Sequence, residues 1–286
     1  MPELPEVETI RRIFQRELVG RTLEDLAISL PKLTRDSPIP DLRILVGHRI
    51  LAADRRAKVL ILHWSEELSL LIHFKLAGQL AVVRPDGRRL VAGHPVPDPE
   101  GTYPHKSTHI TLLFDDNSLA YYSDIRQFGW WRLMTTAMVD SALTAFRFGP
   151  EGVNGDLDRA ALEQKLAKRS IAVKRVLLDQ TAVAGLGNIY VDESLHRARI
   201  HPERVASSLT EDEVSRLFAS IGWALERGIE QGGATIRHQR AYPRDGFPAV
   251  HAREGESCPT CGGAIVKTVV GGRGTYFCPA CQRPSD

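Results

Sequence analysis

Cys258, Cys261, Cys278 and Cys281 form two Cys-x-x-Cys pairs with sixteen residues between them. Two tight turns of this kind deliver four thiolates to one tetrahedral Zn2+, and the Gly262-Gly263 and Gly271-Gly272 pairs suit a short hairpin in between. Four protein ligands leave no position open for water, so this zinc is expected to be structural. A second reactive pattern lies at the other end of the chain. Pro2 follows the initiator methionine, and removal of Met1 would leave a secondary amine with a pKa of ~8, much of it neutral and nucleophilic. Its attack on a sugar C1′ would give an iminium, an electron sink that makes elimination of neighbouring phosphates feasible. Glu3 and Glu6 lie within one helical turn and are placed to handle protons. Residue types alone favour a plainer reading: a proline-punctuated helix start whose acids complement the helix dipole.

These groups need elements to hold them. Val7, Ile10, Phe14 and Leu18 recur at helical spacing, and Pro5 suits a first turn where no backbone N–H is required. From about Thr22 to Met134 the texture becomes alternating or continuous apolar runs: Ile44–Ala53, Val59–Trp64, Leu68–Phe74, Leu80–Arg84, Ile110–Phe114 and Leu119–Tyr122. They read as strands, with Asp115-Asp116-Asn117-Ser118 a hairpin turn, and their number predicts a β-sandwich. After Gly149-Pro150 the period turns helical, through Leu162–Leu166, Ile171–Leu178, Ile189–His196 and Val214–Ile229. Thr210-Glu211-Asp212-Glu213 reads as a capping box opening the last helix, and Gly232-Gly233 as its end. Thr235–Glu256 shows little periodicity and reads as a long loop. The expectation is an α+β multidomain chain: an N-terminal helix and β-sandwich over 1–135, a helical domain over 136–240, and a loop with a zinc hairpin over 241–286.

The 286 residues are 43% hydrophobic and carry a net charge of +2, too mild by itself to announce a nucleic-acid binder. Its distribution says more. Residues 237–286 hold seven Arg/Lys against four acids, a tail of +3, and all four cysteines fall there. No run approaches the eighteen or more apolar residues of a membrane span, and the acidic opening is unlike a secretory or transit peptide. A cytoplasmic protein is expected, and in a reducing compartment clustered thiols suggest metal before disulfides.

Pro2-Glu3-Leu4-Pro5-Glu6-Val7-Glu8-Thr9 resembles the opening of the formamidopyrimidine-DNA glycosylase and endonuclease VIII family. The similarity continues in the family's order through Arg55-Arg56-Ala57-Lys58, His73-Phe74-Lys75-Leu76-Ala77-Gly78 and Asp124-Ile125-Arg126-Gln127-Phe128-Gly129. It then runs through Gly185-Leu186-Gly187-Asn188-Ile189-Tyr190, Gln231-Gly232-Gly233 and the four cysteines. The resemblance implies a β-sandwich, a helix-two-turn-helix domain and a zinc-ribbon hairpin, with damaged double-stranded DNA bound by a monomer working on the nucleoid of a prokaryote. It makes Pro2 the Schiff-base nucleophile, Glu3 the acid that protonates the opening sugar, Glu6 an assistant, Lys58 the lysine of β-elimination, and Arg273 the arginine of δ-elimination. Leu76, Arg126 and Phe128 match the side chains that fill the gap left by an everted nucleotide. Ser107, Arg169, Lys174 and Asn188 match positions that contact DNA, Asn188 at a helix start where free N–H groups favour a phosphate.

Arg126 bears on the substrate. A guanidinium has only donors, which suits the N3 and O2 acceptors of an orphaned cytosine, so the resemblance implies excision of oxidised purines opposite cytosine. The chain departs from the pattern at Leu76, where that branch usually has methionine, at Lys75, and at Ser107, which replaces a histidine. The loop from Thr235 to Arg253 is also shorter than in the best-known purine-specific members. An endonuclease VIII-like enzyme for oxidised pyrimidines therefore stays open, as does a non-catalytic zinc-ribbon binder of damaged DNA. Retention of Pro2, Glu3, Lys58 and Arg273 together speaks against the latter.

Overall fold

The structure, a computed structural model, describes residues 2–94, 101–237 and 240–284. The chain divides into two compact units, Met1–Phe146 and Arg147–Asp286. Among the described residues no helix is long and apolar enough to cross a membrane.

In the first unit, helix α1 (Leu4–Glu17) precedes nine strands: β1 (Leu23–Ile28), β2 (Ile50–Arg56), β3 (Val59–Trp64), β4 (Leu68–His73), β5 (Gly78–Val83), β6 (Arg89–Gly93), β7 (Thr108–Phe114), β8 (Leu119–Asp124) and β9 (Trp130–Thr135). They form two antiparallel sheets, of order β1-β7-β8-β5-β6 and β2-β3-β4-β9. Leu60, Leu62, Leu70 and Ile72 of one sheet share a core with Leu80, Val82, Ile110 and Leu112 of the other, and Val7, Ile10 and Phe14 of α1 join it. That is a sandwich with a flanking helix, closed by apolar burial on facing sides.

The run Ile44–Ala53 is not a single strand. Asp41 accepts the Arg43 N–H at 2.9 Å and opens a 3-10 turn over Leu42–Leu45, which buries Leu42 and Leu45 three residues apart; Gly47 at φ +88 then ends it, and the strand begins only at Ile50. An apolar run cannot by itself distinguish one buried turn from a strand. Strands β1, β6 and β9 were not anticipated. β1 is bulged between Leu23 and Asp25, which erases its alternation, and β6 is an edge strand. The turn at 115–118 forms as expected, with Asn117 left-handed and the Phe114 N–H donating to the Ser118 carbonyl at 3.0 Å.

The second unit holds α2's successors; α2 itself (Val139–Thr144) closes the first. These are α3 (Arg159–Ala167), α4 (Val173–Leu178), α5 (Asn188–Ala198) and α6 (Glu211–Glu230), with strand pairs β10 (Ile236–Arg237) and β11 (Arg240–Ala241), and β12 (Val266–Val270) and β13 (Arg273–Phe277). The capping box is present: Glu213 N–H donates to Thr210 Oγ1 at 3.2 Å and Thr210 N–H to Glu213 Oε2 at 2.9 Å. Gly232 and Gly233, both at positive φ, end α6. The Thr235–Glu256 segment is packed where it is described. Ala241, Val250 and Ala252 share a small core with Cys258, Ile265, Tyr276 and Cys278, and the Glu193 carboxylate accepts the N–H groups of Ala249, Val250 and His251 at 2.6, 2.9 and 2.8 Å. Residues 238–239 lie outside the described part.

Candidate active site and nucleic-acid interface

Pro2 is buried, and Glu3, 1% exposed, caps α1 in extended conformation. Pro5 sits in the first turn, where its missing N–H costs nothing. Glu3 and Glu6 form a reciprocal capping box in which the Glu3 N–H donates to Glu6 Oε2 at 2.8 Å. Glu6 is thereby tied to the backbone beside Glu3. Met1 lies outside the described residues.

The contacts of α1 then run toward the β2–β3 turn. Arg11 donates to the Ala53 carbonyl at 3.3 Å, and one turn earlier Glu8 pairs with Arg55 at 3.3 Å. Burial works against a charged Glu8, but hydrogen bonds from Arg11 and Arg12 and the nearby Arg55 hold its carboxyl below the usual range. Arg55 also donates to the Ala57 carbonyl at 2.9 Å, and its side chain is 5% exposed, so it braces the turn. Ala57 is left-handed at φ 51, and Lys58 follows it, buried in the turn just before β3.

Register brings the next residues to this end. Val59 faces His73, and His73 faces Trp130; in the other sheet Gly78 faces Asp124. The connections 74–77 and 125–129 are therefore neighbouring crossovers between the two sheets. The first holds Lys75, left-handed at φ 49, and the half-buried Leu76. The second holds Arg126 and Phe128, the latter 53% exposed with the Arg126 guanidinium 5.4 Å from its ring centre. An exposed aromatic with a cation over it suits insertion into stacked bases. Ser107 is tied to the same end, since its carbonyl accepts the Asp124 N–H at 3.0 Å; its Oγ lies 2.9 Å from His105 Nδ1.

Sequence reasoning passed over His73 and Asp124, although both stand inside quoted motifs. Burial first, then the cations Lys75, Lys58 and Arg132, push His73 down to about 3. It is a neutral imidazole whose Nδ1 accepts the Lys75 N–H at 2.9 Å, which leaves its proton on Nε2. Asp124 is fully buried beneath the second crossover.

In the second unit the four cysteine Sγ atoms lie within 4.8 Å of one another, with Cys258–Cys281 at 3.9 Å and Cys261–Cys278 at 3.5 Å. A tetrahedron with Zn–S bonds of about 2.3 Å has S···S edges of about 3.8 Å, so these residues fit one zinc ion. Burial pushes the Cys281 thiol up to about 12, whereas the Gly263 N–H brings Cys261 down to about 7. A divalent cation removes that conflict by taking four thiolates. His196, which the sequence did not flag, places Nε2 3.3 Å from Cys258 Sγ and supports the cluster from α5. Arg273 is exposed at the start of β13, after the left-handed Gly271-Gly272 turn of the hairpin.

Two expected DNA contacts have partners inside the protein. Lys174 does not lie on a solvated helix face: it is 0% exposed, with Nζ 2.6 Å from Asp192 Oδ1 and 3.4 Å from the Gly274 carbonyl. A charge taken out of water requires such a partner, and this leaves Lys174 facing the interior. Asn188 is the first residue of α5, after Gly187, and does not cap it; its Nδ2 donates to the Gly274 carbonyl at 2.7 Å. Arg169 is exposed and pairs loosely with Asp179 at 3.6 Å, an arrangement a phosphate can displace.

Comparison with known proteins gives a consistent picture. Residues 1–131 match the model of the formamidopyrimidine-DNA glycosylase N-terminal domain, 148–240 that of the formamidopyrimidine-DNA glycosylase H2TH domain, and 255–284 a zinc finger found in FPG and IleRS. The formamidopyrimidine-DNA glycosylase of Pelotomaculum thermopropionicum is 38% identical over 289 residues, covering 99% of both chains. That of Heliobacterium modesticaldum is 39% identical over 291 residues, covering 99% of this chain and 100% of the relative. Among solved structures, Lactococcus lactis Fpg bound to abasic-site DNA superposes with a TM-score of 0.86 at 34% identity, covering 99% and 100% of the two chains. A variant of the same protein bound to Fapy-dG-containing DNA gives 0.85 at 35% identity, with the same coverage.

Proposed function

Because the chain belongs to the formamidopyrimidine-DNA glycosylase family, we infer that it is a bifunctional DNA glycosylase and AP lyase of base excision repair, acting on damaged double-stranded DNA with one structural zinc. Full-length similarity to enzymes of that name, and to structures holding Fapy-dG DNA, favours oxidised purines over the pyrimidine reading. Such a substrate places its work at the chromosome, in the cytoplasm.

The reaction starts at Pro2 once Met1 is removed. The neutral amine attacks C1′, the glycosidic bond breaks, and the base departs with the bonding pair, taking up the proton that the Pro2 nitrogen gives up. Glu3 gives a proton to the ring oxygen as the sugar opens, leaving an iminium between Pro2 and C1′. Loss of a C2′ proton expels the 3′ phosphate, with Lys58 serving that β-elimination. Loss of a further sugar proton expels the 5′ phosphate, with Arg273 serving that δ-elimination. Water then hydrolyses the iminium and frees Pro2. Leu76, Arg126 and Phe128 fill the vacated stack, and Ser107, Arg169 and Asn188 contact the strands. The observation that carries this reading is the convergence of Lys58, Leu76, Arg126 and Phe128 on the end of the sandwich toward which the start of α1 runs.

Borohydride reduction with lesion or abasic DNA should leave a covalent adduct on Pro2, and Pro2→Gly or retention of Met1 should greatly weaken trapping. A normal adduct on a lysine would sink the mechanism. Glu3→Gln should bind lesion DNA yet lose base excision. For the substrate, single-turnover excision opposite C should exceed that opposite A by about one to two orders of magnitude, and Arg126→Ala should erase the difference. Faster removal of oxidised pyrimidines would restore the endonuclease VIII-like reading.

A further inference from the structure

We propose that Asp192, through Lys174, is a positioning residue for the hairpin arginine. Asp192 is 1% exposed and stands on α5, yet its carboxylate serves three other segments. Oδ1 receives Lys174 Nζ of α4 at 2.6 Å; Oδ2 receives the Tyr276 N–H of β13 at 3.2 Å and lies 2.7 Å from His251 Nδ1. The His251 ring in turn packs edge-on against Tyr276 at 4.9 Å. Lys174 passes the grip on, since it donates to the Gly274 carbonyl at 3.4 Å, where Asn188 donates at 2.7 Å. The Gly274–Thr275 peptide, one residue beyond Arg273, is thus held by two donors, one of them the buried Lys174 ammonium paired with Asp192. Without such anchors a two-stranded hairpin with a double-glycine turn is a poor platform for an exposed arginine.

A buried ion pair is weak evidence for stability, because well-packed apolar residues of similar volume often replace it at no cost. Its retention here is explained by what it holds. The inference rests on the reading that Arg273 serves δ-elimination, and the two can fail separately.

The test uses the full-length zinc-loaded protein with Asp192→Leu and Lys174→Met combined, an apolar exchange that removes the grip without stranding a charge. Zinc content and far-UV circular dichroism report folding. On abasic duplex the ratio of δ- to β-elimination products should fall about tenfold, and adding Arg273→Ala should lower it no further, although Arg273→Ala alone lowers it in the wild type. Amide exchange should quicken at residues 272–276. Single Asp192→Asn, which keeps the shape and loses the charge, should shift the ratio the same way, and Lys174→Arg in the wild type should partly preserve it. A wild-type ratio and unchanged exchange in the double variant would overturn the proposal. Should Arg273→Ala alone leave the ratio unchanged, the role of Arg273 falls and the catalytic half of the proposal with it, while exchange still decides whether Asp192 fixes the hairpin.

Discussion

The backbone N–H of Phe128 donates to Asp124 Oδ2 at 3.0 Å, from beneath the loop whose exposed tip it orders. The same carboxylate accepts the Gly129 N–H at 2.8 Å and, through Oδ1, the Arg126 N–H at 3.0 Å. One buried anion therefore sets the backbone on both sides of two side chains assigned to enter the DNA.

Asp124→Asn replaces one acceptor with a donor facing N–H groups, a mismatch of about 1–3 kcal/mol. Excision of a paired lesion should drop about tenfold, and the preference for C over A opposite the lesion should shrink, since Arg126 loses its fixed origin. Single-turnover kinetics on both duplexes check this. An unaltered rate with an unaltered preference would show that the loop is ordered by something else.

Glycines of α6 should respond with opposite signs. Gly→Ala in a helix interior normally stabilises by about 1 kcal/mol. At Gly222 an added Cβ meets only the Gly152 carbonyl at 3.7 Å, so Gly222→Ala should be neutral or stabilising. At Gly228 the Cβ would overlap the Tyr190 ring of α5, which is fully buried, so Gly228→Ala should cost about 1–3 kcal/mol. Denaturant midpoints of the two variants, compared directly, decide the matter; equal shifts would refute the packing argument.

Chelation or Cys258→Ser should release the zinc hairpin and abolish DNA binding. Structure in the hairpin and zinc affinity are one free energy, whereas the sandwich has its own core. Binding isotherms should be lost while the strand signal in circular dichroism persists. Full affinity without zinc would contradict it.

His73 predicts a dependence on pH. Its pKa in the folded chain, about 3, is depressed from an unfolded value near ~6.5. The unfolded state therefore binds more protons between these values, so stability is full above pH ~6.5 and declines as pH falls toward 3. His73→Gln should flatten that decline in urea midpoints taken at successive pH values. A slope identical to wild type would show that His73 does not titrate with unfolding.

The sequence by itself determined much of this protein. The opening eight residues and the paired cysteines carry reactive groups whose identity depends on residue type and local spacing alone, and the periodicities of α1, β3, β4 and α6 are local too. What tertiary structure decided is which of the charged residues face inward. Lys174 looked like part of a basic helical segment facing DNA, and Arg55 like one more cation in a motif; the carboxylates that pair with them are Asp192, 18 positions away, and Glu8, 47 away. Asp124 looked like one acid in a motif, and only the meeting of β5, β7 and β8 turned it into the buried acceptor beneath the loop. The bulged β1 and the edge strand β6 were hidden for a related reason, since their hydrogen-bond partners, not their own side-chain pattern, make them strands. A buried charge is defined by its distant partner and by excluded water, and neither is a property of the local sequence.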